Sequence, residues 1–178
     1  FCVGTGRMGL ALQEEYQKQL EMAQELAGFR YIRGHGQFCE DMSIYQQVPD
    51  GKGGWKFGGY NFTYLDRVVD SYLEKNIRPF IELGFMPGAI ASGTQTIFYW
   101  KGNTTPPADH DKWARLVKAT LTHLKQRYGE DEVSQWPCEV WNEPNLPGFW
   151  ENADKQKYLY LYSVTSRAVK EALPRMRV

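Results

Sequence analysis

What most constrains this chain is a repeating order, in which a short apolar run precedes an amphipathic helix four times over. Leu12, Tyr16, Leu20, Ala23 and Ala27 recur at steps of three and four and meet Gly28, which predicts a first helix with a glycine stop. A second is predicted over about Thr63 to Lys75, with Leu65, Val68, Val69, Tyr72 and Leu73 inward and Asn76 at its end. Trp113, Leu116, Val117, Leu121 and Leu124 predict a third over Asp111 to Tyr128, stopped by Gly129. Tyr158, Leu161, Tyr162, Thr165, Ala168 and Val169 predict a fourth over Asp154 to Leu173, stopped by Pro174. The runs between them, Phe1 to Val3, Phe29 to Arg33, Ile77 to Leu83 and Cys138 to Trp141, read as strands, and Arg175 to Val178 as a fifth starting. Pro79 lacks a ladder donor and is placed where the third strand begins to pair.

Such alternation is the pattern of a parallel sheet covered by helices. Helix-to-strand connections are short, whereas Gly34 to Phe62 and Gly84 to His110 are long. The long connections leave the carboxyl ends of the strands, where α/β barrels and open parallel sheets build their sites. The class expected is α/β; four β/α units are half of a (β/α)8 TIM-type barrel, which takes about 250 residues, so the chain reads as a fragment or as a half-barrel completed by another chain. Such an open half leaves two strand edges and part of an apolar inner face exposed.

Charge narrows the partners. Lys plus Arg number 21 against 21 Asp plus Glu, so no basic footprint for nucleic acid or a membrane surface exists. No apolar run approaches the roughly 20 residues of a membrane span. Cys2, Cys39 and Cys138 are too few and too irregularly spaced for a disulfide framework or a zinc pattern, which fits a reducing, cytoplasmic setting. Aromatics reach 15%, enough for stacking on flat apolar faces as well as for core packing.

Four motifs carry candidate chemistry. Gly4-Thr5-Gly6-Arg7-Met8-Gly9 between a strand and a helix has the spacing of a dinucleotide-binding turn, with Arg33 suited to a 2′-phosphate; a plain tight turn is the other reading. In Glu139-Val140-Trp141-Asn142-Glu143-Pro144-Asn145 a glutamate closes a strand. Walled by Trp141, Phe149 and Trp150, Glu143 would sit in a water-poor cleft that disfavours its ionised form, as a glycosidase general acid requires. Asn142 has an amide suited to a sugar hydroxyl, although a helix-capping Asn beside a surface Glu fits the same letters. Arg33 and His35 lie at the second strand's end and Glu82 at the third's, as pocket groups or as an internal ion pair of Arg33 with Glu82. Trp100, in Phe98-Tyr99-Trp100-Lys101-Gly102-Asn103, is either a sugar platform or packing for its loop.

Read together, VGTGRMGLAL, FRYIRGHG, YNFTYLD, IRPFIELGFMP, YWKGNTTPP, RYGEDEVSQW and EVWNEPNLPGFW resemble glycoside hydrolase family 39, its β-xylosidases in particular, along essentially the whole chain. The resemblance implies a (β/α)8 catalytic barrel, retaining chemistry on a xyloside or xylo-oligosaccharide, and no cofactor. It implies Glu143 as acid/base, Asn142 as a contact to the 2-hydroxyl and His35 as a contact to sugar hydroxyls, with Arg33 and Glu82 nearby. It also places the nucleophilic glutamate on a seventh strand, beyond the fifth at which this sequence stops, so the chain alone is expected to be inactive. Two other readings stay beside it. One is a non-catalytic half-barrel that binds sugar weakly, self-associates or pairs with a complementing C-terminal half; the other is an NADP-dependent oxidoreductase.

Overall fold

A computed structural model describes residues 1–178. In chain order it holds β1 (Cys2–Arg7), α1 (Glu14–Ala27), β2 (Tyr31–His35), β3 (Tyr45–Pro49), β4 (Trp55–Tyr60), α2 (Thr63–Leu73), β5 (Arg78–Leu83), β6 (Thr96–Ile97), β7 (Gly102–Asn103), α3 (His110–Tyr128), α4 (Glu130–Val133), β8 (Cys138–Val140) and α5 (Lys155–Ala172). One parallel sheet runs β1-β2-β5-β8, with Tyr31 opposite Cys2 and Arg78, and Cys138 opposite Ile81. These are four successive β/α units.

The helices begin and end for the reasons their sequence supplies. Gly28 closes α1 at φ 62°, a left-handed value that costs glycine nothing. Asp109 caps α3 by accepting from the Asp111 and Lys112 amides, and Asp154 caps α5 by accepting from Lys157 N. Their inward stripes meet the outer face of the sheet, where Ile32, Ile81, Leu83 and Val140 join Val69, Leu116, Leu121 and Leu161 in one buried cluster. Burying each such side chain is worth about 1.5–3 kcal/mol. Within it, Trp113 Nε1 donates to Thr165 Oγ1 at 2.7 Å, so the indole is buried without an orphan donor.

Several expectations need correcting. The inner face is not apolar throughout: period-two alternation aims Arg33, His35, Glu82 and Glu139 into it beside Tyr31 and Phe80. The glycine motif is not a strand-to-helix turn, because β1 continues through Gly4 and Gly6 to Arg7 and a 3-10 turn follows at Met8–Leu12. α1 begins only at Glu14, after that turn, so the direct strand, glycine turn and helix succession that the NADP reading needs is not formed. The stretch Gly34 to Phe62 is not irregular throughout, since β3 and β4 form an antiparallel hairpin. Arg175–Val178 is not a strand, yet Arg177 O accepts from Cys138 N at 3.0 Å, so this segment lies along the β8 edge. Pro79 is the second residue of β5 and is tolerated there because pairing with β8 starts only at Ile81.

Candidate active site

At the carboxyl ends of the strands one guanidinium ties three strands together. Arg33 Nε donates to Glu139 Oε2 at 2.5 Å, and Nη2 reaches Glu139 Oε1 at 3.0 Å, Asn142 Oδ1 at 2.9 Å and Glu82 Oε2 at 2.9 Å. Burial works against the charge on Arg33, but the Glu139 hydrogen bonds and the two carboxylates outweigh it and raise its pKa further. Glu82 is 1% exposed, and Arg33 and His35 both meet its Oε2.

The same network orients His35. Arg33 can only donate, and its Nη1 lies 3.4 Å from His35 Nε2, which makes Nε2 the acceptor. Nδ1 then carries the hydrogen and donates to Glu82 Oε2 at 2.6 Å. Asn142, buried, has its Oδ1 committed to Arg33, which turns Nδ2 toward Glu143 Oε2 at 3.3 Å. The backbone bends sharply to present this pair: Trp141 and Glu143 take φ of 71° and 44°, conformations non-glycine residues adopt at a cost.

Glu143 itself is exposed, so residues 1–178 do not build the water-poor walls expected around it. The reason lies in the tryptophans. Trp141 and Trp150 turn into the core with ring centroids 5.2 Å apart, and their indole N–H groups donate to Phe149 O at 2.6 Å and Asp154 O at 2.9 Å. Trp100 is half-buried and stacked on Phe98 at 4.4 Å, with Arg7 over its ring at 5.8 Å. The open aromatic faces of that loop belong to Phe98 and Tyr99, and Phe98 lies 6.1 Å from the His35 ring. Arg33, His35, Glu82, Asn142 and Glu143 thus converge directly, and Trp100 joins them through Phe98.

With this geometry in hand, the comparison with known proteins is direct. The model of the glycosyl hydrolases family 39 matches residues 1–178. The chain belongs to that family. It is 59% identical to a β-xylosidase of Geobacillus stearothermophilus over 100% of its length and 35% of that protein's. A β-xylosidase of Caldicellulosiruptor saccharolyticus is 41% identical over 99% of this chain and 35% of its own. A monomeric β-xylosidase from Caulobacter crescentus CB15, of known crystal structure, superposes with a TM-score of 0.93 at 44% identity over 100% of this chain and 35% of that one. The chain spans about a third of the length of the relatives it matches. Its parallel sheet is therefore four units of the TIM-barrel fold that family 39 β-xylosidases share.

Sequence reasoning missed Glu139, the second carboxylate on Arg33, and Phe85, whose ring faces that of His35 at 6.3 Å. A signal for Glu139 existed. Strand periodicity puts Glu82 and Glu139 on the same side of adjacent strands, and two like charges side by side demand a cation between them.

Proposed function

We propose that the protein carrying this chain is a retaining β-xylosidase, that residues 1–178 form the amino-terminal half of its catalytic barrel, and that Glu143 is the acid/base. One observation carries this reading above the others: Glu143 stands at the tip of β8 beside an asparagine whose amide Arg33 holds, in a chain that is 59% identical to a β-xylosidase. In the first step Glu143 gives its proton to the departing glycosidic oxygen while a second carboxylate attacks the anomeric carbon. In the second step Glu143, now ionised, takes a proton from the water that opens the glycosyl-enzyme, so the β configuration returns. Asn142 Nδ2 and His35 contact sugar hydroxyls, and Phe98 with Trp100 forms a wall of the sugar site. Acid/base and nucleophile suffice for this reaction, so it calls for no cofactor.

The second carboxylate must stand about 5–5.5 Å from the first and be free to attack. Glu82 and Glu139 are poor choices, because Arg33 and His35 occupy Glu82 Oε2 and both oxygens of Glu139 accept from Arg33. In line with the resemblance to family 39, we assign the nucleophile to a later strand, and on that reading residues 1–178 alone are inactive. The test is Glu143→Gln in the protein carrying this chain. Turnover of an alkyl xyloside, a poor leaving group, falls about 10²–10⁴-fold, while an activated aryl xyloside suffers less in its first step. Normal turnover of the alkyl substrate by the variant would end the proposal.

A second reading has an observation in its favour. Met22 and Leu26, one turn apart on α1, are 63% and 88% exposed, and β1, the strand that α1 follows, ends the sheet with one edge unpaired. We propose that this side of the isolated chain takes up a complementing half-barrel or a second copy. Sedimentation of the 178-residue chain decides it: a folded monomer at high concentration counts against it.

A further inference from the structure

A second concave site lies between the β3–β4 hairpin and α3, with a volume of about 610 Å³ and no residue in common with the Arg33 cluster. That size is typical of small-ligand sites. One wall is aromatic. Phe57 packs against Tyr45 at 5.0 Å and Tyr60 at 4.8 Å, yet remains 48% exposed. The facing wall is the stripe of α3 that carries Lys112, Arg115 and Lys118, opposite the buried stripe of Trp113, Leu116 and Leu121.

The charges on that wall are largely uncompensated. Lys118 reaches Glu171 at 3.1 Å, an exposed pair of little strength, while Lys112 and Arg115 make no ion pair. Asp109 is electrostatically coupled to both without forming an ion pair with either, and its Oδ1 caps α3. Burial raises the Tyr45 and Tyr60 hydroxyls above their ordinary pKa and Arg115 draws both back, which places its charge beside the aromatic wall.

Flat rings on one side and unpaired cations on the other fit a ligand with an apolar ring face and one negative group. A pyranose lays its C–H face on an aromatic ring by burying apolar area, and a guanidinium takes a carboxylate in a two-pronged hydrogen bond. We propose that this cleft binds a carboxylate-bearing sugar, the uronate substituent of an oligosaccharide, as an ancillary site. The choice of a sugar rests on the glycosidase reading; the anion and the ring do not.

The experiment is calorimetric titration of the protein carrying this chain, made inactive by Glu143→Gln, with a xylo-oligosaccharide bearing one glucuronate and with the unsubstituted oligosaccharide. The acidic ligand is expected to bind more tightly, and added salt to narrow the gap. Arg115→Ala weakens the acidic ligand about tenfold, the scale of a lost charge-assisted hydrogen bond, and leaves the neutral one unchanged. Phe57→Ala, also at an exposed position, weakens the acidic ligand too. Equal affinity for the two ligands, or an acidic ligand indifferent to both substitutions, overturns the inference. Xyloside turnover by the parent with Glu143 intact is read separately, so a missing activity and a missing uronate site are told apart.

Discussion

The two faces of the parallel sheet follow opposite rules within the same strands. On β5, Pro79, Ile81 and Leu83 face the helices, whereas Glu82 faces inward to Arg33, and β8 repeats the contrast with Val140 out and Glu139 in. Outward, stability comes from area removed from water and tolerates a change of shape. Inward, it comes from one cation answering two carboxylates, and deleting that cation leaves both of them unanswered. The layer that orients Asn142 and Glu143 is thus built from interactions that confer geometry more than stability.

Arg33→Met breaks that comparison most sharply. It leaves Glu82, 1% exposed, with only the His35 Nδ1–H, and the expected cost is about 3–5 kcal/mol by denaturant unfolding. Arg33→Met combined with Glu82→Met and Glu139→Met recovers most of it. If the triple variant is as unstable as the single one, the inward layer is held by shape after all. On the outer face, Ile81→Val removes one methylene from a residue that is also 1% exposed, for about 0.5–1.5 kcal/mol. Xyloside turnover by the protein carrying this chain is expected to be unchanged by it; a drop of more than about threefold would show that the two faces are coupled.

The same contrast explains what could be read from the letters. Leu65, Val68, Val69 and Tyr72, and likewise Trp113, Leu116, Leu121 and Leu124, announce α2 and α3 because burial there needs only periodicity, and Gly28 and Gly129 mark the ends of α1 and α3. The hairpin hid behind its glycines, although Asp50-Gly51 is a turn signal; Asp50 Oδ1 accepts from Lys52 N and Gly54 N, at 2.7 and 2.9 Å. Proximity in sequence misled at Glu143. The letters place Trp141 and Trp150 beside it as walls, but the left-handed bend at Trp141 breaks the strand alternation, and both indoles pack in the core. Which side chain faces a site depends on register across strands, and that is set by pairing rather than by neighbours in the chain.

The smallest effect tests the inward layer where it meets water. At the opposite end of β5 from Glu82, Arg78 Nε and Nη2 grip Glu132 at 2.7 and 2.9 Å, in a pair about 30% exposed. The Arg78 hydrogen bonds lower the Glu132 carboxyl pKa, burial pushes back, and the Trp136 indole N–H adds to the lowering. A carboxyl held lower in the folded chain than in the unfolded one favours folding once pH exceeds its ordinary value of about 4.3. That contribution fades as pH falls through the lowered value. Glu132→Gln should therefore cost about 0.5 kcal/mol or less near neutrality, as solvent screens a pair this open, and the difference from the parent should vanish in acid. Urea unfolding at neutral pH and again at about pH 3 measures both. A penalty that persists unchanged in acid would assign the role of Glu132 to its contact with Trp136 instead of its charge.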